Sequence, residues 1–151
     1  MRISDLAQTF RETFKRVAGA ALLDFFLAVN PAPASRPRFN SFTKAAYYGK
    51  TYETFKHQGL LAAKQRAGIP TDQPVLVMLE FVVAKPVTGK LRFPQGDVDN
   101  YAKGPMDIMT QAGTFWADDR QVVGVIVFKR YAAPAEEPGV IIHWAAVDLA
   151  D

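Results

Sequence analysis

Gly96 to Val123 reads GDVDNYAKGPMDIMTQAGTFWADDRQVV, and the rest of the chain is organised around this stretch. It holds Asp97, Asp99, Asp107, Asp118 and Asp119 in a chain whose formal charge is +3. In an extended segment Asp97 and Asp99 point to one side, because strand side chains alternate faces. Asp99 and Asn100 are types that cap orphan amides, and the run to Gln111 carries an apolar stripe. A helix is therefore predicted to start there and to stop at Gly113. Lys103 rises over the same face as Asp99 and Asn100. The return through Phe115 to Asp119, leading into a strand at Gln121 to Tyr131, is expected to bring Asp118 or Asp119 back to the corner. Adjacent residues in extended chain face opposite ways, and we assign the inward place to Asp119.

Carboxylates crowded together repel one another, and desolvation raises their pKa values further. A divalent cation removes that conflict. Mg²⁺ takes a few carboxylate oxygens, keeps waters and accepts phosphate oxygens, so it suits such a corner beside a phosphodiester, with a lysine as point charge. Plainer readings compete. Asp99, Lys103 and Asp107 at four-residue steps also describe an exposed ion-pair ladder worth about 0.3–0.5 kcal/mol per pair. Asp118-Asp119 also describes a polar turn before a strand.

The pattern D-x-D-N-x-x-K-x-x-x-D (Asp97, Asp99, Asn100, Lys103, Asp107), followed by G-x-x-x-x-D-D-x-Q-V (Gly113, Asp118, Asp119, Gln121, Val122), resembles the RusA-type crossover junction endodeoxyribonucleases. Val29-Asn30-Pro31 and Arg36-Pro37-Arg38-Phe39 extend the resemblance upstream, to most of the chain from about Phe25. It implies a homodimeric, Mg²⁺-dependent nuclease, with Mn²⁺ able to substitute, that cuts opposed strands of a branched four-way DNA junction. It carries a catalytic role onto Asp97, Asp99 and Asp119 as metal ligands and onto Lys103 as a phosphate or transition-state stabiliser, with Asn100, Asp107 and Asp118 supporting. Gly104-Pro105 follows Lys103 directly, and proline lacks an amide donor and restricts the residue before it. The helix is expected to kink there or to start late.

Charge divides the chain. Residues 1–96 hold 14 Lys or Arg against 6 Asp or Glu, whereas 97–151 hold 4 against 9. A basic half holds a phosphate backbone through counterion release while an acidic centre binds metal; a solvated basic face is the plainer alternative. Arg36, Arg38, Lys44 and Lys50 interleave with Phe39, Phe42, Tyr47 and Tyr48, a mixture suited to phosphates and unstacked bases. At least half of those aromatics are expected to be core anchors instead. Lys85, Lys90 and Arg92 lie in a basic loop that runs straight into Asp97, and the seven cations form the expected DNA surface.

The chain is long enough for one domain with its own core, and its aromatic content argues against disorder. The absence of cysteine removes thiolate metal sites and agrees with a cytoplasmic protein. Ile3 to Ala18 reads as an amphipathic helix with Leu6, Phe10, Phe14 and Val17 in its stripe. Val17 to Val29 imitates a signal peptide but contains Asp24, follows Asp5 and Glu12, and is too short to cross a bilayer, so no membrane partner is expected. Strands are predicted at Leu22–Val29, Val75–Ala84 and Val140–Val147, the last as a hairpin partner of Gln121–Tyr131, and a second helix over Thr51–Ala67. His57 and His143 are read as structural. The order predicts an α+β fold, a mixed sheet of about four strands flanked by helices. Residues 1–20 would be an extension and 21–151 a nuclease domain. A non-catalytic DNA-binding or regulatory protein is the alternative reading.

Overall fold

A run of nine residues, VLVMLEFVV, forms strand β4 (Val75–Val83), the buried spine of the molecule. A computed structural model describes residues 1–36, 38–47 and 49–148. The expectations for Pro37 and Tyr48, and for the Tyr47 side chain, lie outside what is described. The other elements are α1 (Ile3–Ala18), β1 (Leu22–Leu27), β2 (Arg38–Phe39), β3 (Ala46–Tyr47), α2 (Lys50–Lys64), α3 (Val98–Ala112), β5 (Val122–Tyr131) and β6 (Gly139–Ala146). The sheet order is β1-β6-β4-β5, with β2 and β3 pairing separately.

β4 shows why both faces are covered. Val75, Val77, Leu79, Phe81 and Val83 belong to the main core with Ile108, Met109, Tyr52 and Phe55 from α2 and α3. Met78 packs instead with Phe14 of α1 and Ala145. The period-two alternation thus assigns one face to α2 and α3 and the other to α1. Glu80 faces α1 at 2% exposure, and its carboxylate accepts from Arg11 of α1 and from Arg130 of β5 at 2.8 Å. Phe10 meets Phe128 with ring centroids 5.4 Å apart. Val17, expected in the stripe of α1, is 77% exposed.

The chain is an α+β fold with a mixed sheet: β5 runs parallel to β4 and β6 antiparallel to it. The expected hairpin between β5 and β6 is not formed. β6 inserts between β4 and β1, where Val140, Ile142 and Trp144 are buried. β5 takes the edge of the sheet. β4, α3 and β5 consequently form a crossover unit in which α3 carries the chain from the far end of β4 back to the start of β5.

Candidate active site

After β4 the chain leaves through a long basic loop and arrives at Asp97 under tight constraint. Gly96 has φ +99°, and a Cβ there would lie 2.8 Å from Pro33 Cγ, so glycine is required by both conformation and space. The Tyr101 hydroxyl donates to the Gln95 carbonyl at 2.8 Å, and the Ala34 amide to the Asn100 carbonyl at 2.8 Å. Lys129 of β5 reaches under the loop: its ammonium donates to the Pro94 carbonyl at 2.8 Å and to the Gly96 carbonyl. It lies 5.9 Å from the centre of the Phe93 ring and 5.7 Å from that of Tyr101. Three separate segments, Pro33–Ala34, α3 and β5, therefore fix the backbone that presents Asp97.

The helix starts one residue earlier than expected. Asp97 is the N-cap of α3, in an extended conformation, and its carboxylate makes no capping hydrogen bond. Asp99 lies inside the first turn, so the two acids flank a helix start rather than share a strand face. Both are exposed. The amide end of a helix favours negative charge close to it. Pro105 neither delays nor divides α3, which runs unbroken from Val98 to Ala112. Gly104 and Pro105 are buried, and a Cβ on Gly104 would stand 2.8 Å from Phe55 Cε1, so this pair lets α2 approach closely. Lys103 is exposed one turn after Asp99, and Asp107 pairs with Lys56 of α2 at 3.6 Å.

The other acidic pair stands at the opposite end of α3. Gly113, with φ +71°, ends the helix. The turn is locked by Trp116, whose Nε1 donates to Thr110 Oγ1 at 2.8 Å, and by Arg66, which donates to the Thr114 carbonyl at 2.8 Å. The Arg66 guanidinium lies 4.9 Å from the ring centres of both Phe115 and Trp144. Asp118 then caps a 3₁₀ turn, Asp119–Gln121, with Gln121 bonding back to its amide. Its carboxylate accepts from the amide and guanidinium of Arg120, which holds its pKa down at about 2. Gln121 donates to the carbonyls of Thr71 and Gln73, which tie this turn to the entry of β4. Asp119 remains exposed.

The expected meeting of Asp119 with Asp97 and Asp99 does not occur within one chain. The 15 residues of α3 span about 22 Å at 1.5 Å per residue. Independently, Gln121 precedes Val122 at the start of β5 whereas Gly96 is held by Lys129, seven strand residues or about 23 Å further along. Among the described residues no three His, Asp or Glu side chains gather closely enough to hold a metal ion. Each corner therefore supplies a pair of acids, Asp97 with Asp99 or Asp118 with Asp119.

Arg36, Arg38, Lys44, Lys50, Lys85, Lys90 and Arg92 are all exposed. Arg36 follows the Ala34 segment that is bonded to Asn100, and Lys90 lines the same hollow as Gly96, so these two lie toward the first corner. Phe39 and Phe42, expected as core anchors, are 64% and 94% exposed. Sequence reasoning missed Lys129 and Arg66; their partners are backbone carbonyls and ring faces, which leave no motif.

Among the described residues no helix is long and apolar enough to cross a membrane. No curated protein matches the chain. The family model described as endodeoxyribonuclease RusA matches residues 28–143, from just after β1 to the middle of β6, with α1 and β1 outside. Both acidic corners and the loop between β4 and α3 fall within that span, and the chain belongs to the RusA endodeoxyribonuclease family.

Proposed function

We infer that the protein is a Mg²⁺-dependent endonuclease that resolves four-way DNA junctions as a homodimer, and that each active site is shared between two chains. Asp97, Asp99 and Lys103 of one chain would face Asp119 of the partner subunit, with Asp118 holding the turn. The observation that carries this reading is the length of α3, which keeps the two acidic pairs of one chain about 22 Å apart. A second copy supplies at each corner what the first lacks.

The sheet offers a way to do so. β5 is an edge strand of ten residues, and Val123, Val125 and Ile126 on it are 48%, 43% and 37% exposed. Long apolar edges are open to pairing with another chain. A two-fold axis near Gly124 would set β5 antiparallel to the partner's β5. That symmetry brings the Asp119 end of one strand toward the Lys129 end of the other, beside the loop that presents Asp97.

The residues present suit the ion. Mg²⁺ is commonly held by one or two carboxylates with waters and substrate phosphate, and Asp97 leaves its carboxylate outside the capping role. When bound, the cation neutralises charge on the scissile phosphate and makes water a better nucleophile at neutral pH. Lys103 is placed to meet phosphate oxygens one helical turn from Asp99. The exposed cations on the loop between β4 and α3 and around Arg36 would hold the backbone of the arms.

Incubation with a synthetic four-way junction and a matched linear duplex, with and without Mg²⁺, tests the reading. Paired nicks in the junction alone, and only with the metal, are expected. Junction binding without cleavage at any divalent metal would instead indicate a DNA-binding protein.

A further inference from the structure

Beside the Asp97 corner, on the side of the basic loop, the structure contains a cavity of about 700 Å³. Pro33, Pro86 and Leu91 contribute apolar walls, Asn30 and Tyr131 polar groups, and Gly96, the residue before Asp97, forms one edge. Its frame is firm where it meets the sheet. The Ala84 amide donates to Asn30 Oδ1 at 2.9 Å, and the Ala132 amide to the Val83 carbonyl at 2.9 Å. Its outer wall is the loop that carries Lys85, Lys90 and Arg92. None of the catalytic roles inferred above uses this space.

Flat apolar walls with a few polar groups are what a nucleobase needs: its faces bury against carbon while its edge finds hydrogen bonds. The charge around the cavity selects the same kind of molecule. Lys90 on its wall is placed to hold a phosphate, which suits an occupant that carries both a phosphate and an apolar plane. A base in a regular duplex cannot enter. At a branch point pairing is already weakened, and extruding a base there costs least.

Resting on the endonuclease reading, we propose that this cavity receives one unstacked nucleobase adjacent to the phosphate cleaved at the Asp97 corner, and that it sets the base preference of cutting. The loop between β4 and α3 then has two tasks, because it presents Asp97 at one end and walls the base pocket along its length. The base enters as the phosphate settles, so sequence is read at the step that aligns the bond for cleavage.

Four-way junctions carrying 2-aminopurine at each position flanking the cleaved bond, bound by the non-cleaving Asp97→Asn chain, test this directly. A several-fold rise in fluorescence at one position is expected, with the others unchanged. Leu91→Trp, on the exposed loop, and Ala84→Phe, at the inner wall, are expected to reduce the preference at least tenfold, read as the ratio of cleavage rates on junctions that differ only in the bases flanking the cut. Leu91→Trp keeps the test decisive if Ala84→Phe does not fold. Fluorescence unchanged at every position, or filled-pocket chains cutting with the wild-type preference, would overturn the pocket and leave the endonuclease reading standing. A wild-type chain that neither binds nor cuts any junction overturns both.

Discussion

The Lys129 ammonium donates to the carbonyl of Gly96, and through that contact the edge strand β5 holds the residue next to Asp97. The same ammonium bonds the Pro94 carbonyl and faces two aromatic rings, so one cation ties the loop end, the helix start and the sheet together.

Replacing Lys129 with Met should loosen that corner. Charge-assisted hydrogen bonds contribute about 1.5–3 kcal/mol, and a comparable loss is expected in urea unfolding. Cleavage should fall at least tenfold in kcat with little change in junction affinity, because Lys129 spends its hydrogen bonds on the loop that presents Asp97. A parallel loss of binding and turnover would make its role merely structural.

Glu80 is the buried centre of a charge network that joins α1 to the sheet. Glu136 and Glu80 both hold the Arg130 guanidinium firmly protonated, and Arg11 completes the set. Breaking a buried pair leaves uncompensated charge, so Glu80→Ala should cost about 3–5 kcal/mol. Arg11→Met should cost less and release α1 first, seen as early proteolytic cleavage before residue 19. Equal protection of α1 in both variants would show that its apolar contacts suffice.

His143 gives a pH signature. It is 5% exposed, and neither ring nitrogen has a hydrogen-bond partner among the described residues. Burial, helped by Arg11 and Lys15 of α1 and opposed by Asp24 of β1 and Glu80 of β4, pushes its pKa below the ordinary 6.5. The unfolded chain therefore binds the proton more readily, and stability is lost as pH falls from about 6.5 toward the folded value. Thermal melts should show Tm dropping between pH 7 and pH 5. His143→Phe should remove the part of that drop due to this group and cost little at pH 7, since no hydrogen bond is lost. An unchanged pH profile in the variant would assign the drop elsewhere.

Much of this was legible in the sequence because it was local. The nearly continuous apolar run of β4, interrupted only by Glu80, announced a central strand, and the acidic motifs marked both ends of α3. Partner choice was not legible: β5 and β6 are each acceptable strands, and nothing in their periodicity says that β6 enters beside β4. The failed meeting of Asp119 with Asp97 has a different origin. A helix predicted from Asp99 to Gln111 already implied a separation near 20 Å at about 1.5 Å per residue, and the return does not run back along it because Gln121 ties the turn to Thr71 and Gln73 at the entry of β4. Lys129 stayed hidden for lack of any partner side chain that a motif would show.

Complementation between inactive chains tests the shared site most directly. Asp97→Asn, and a chain carrying both Asp118→Asn and Asp119→Asn, should each be inactive on a four-way junction. In a mixed dimer, Asp97 of the second chain would meet Asp118 and Asp119 of the first, which rebuilds one intact site and leaves the other doubly defective. Mixing and refolding the two together should therefore restore single-strand nicking, at about a quarter of the wild-type number of sites. A mixture no more active than either chain alone, with mixed dimers demonstrably formed, would contradict the account.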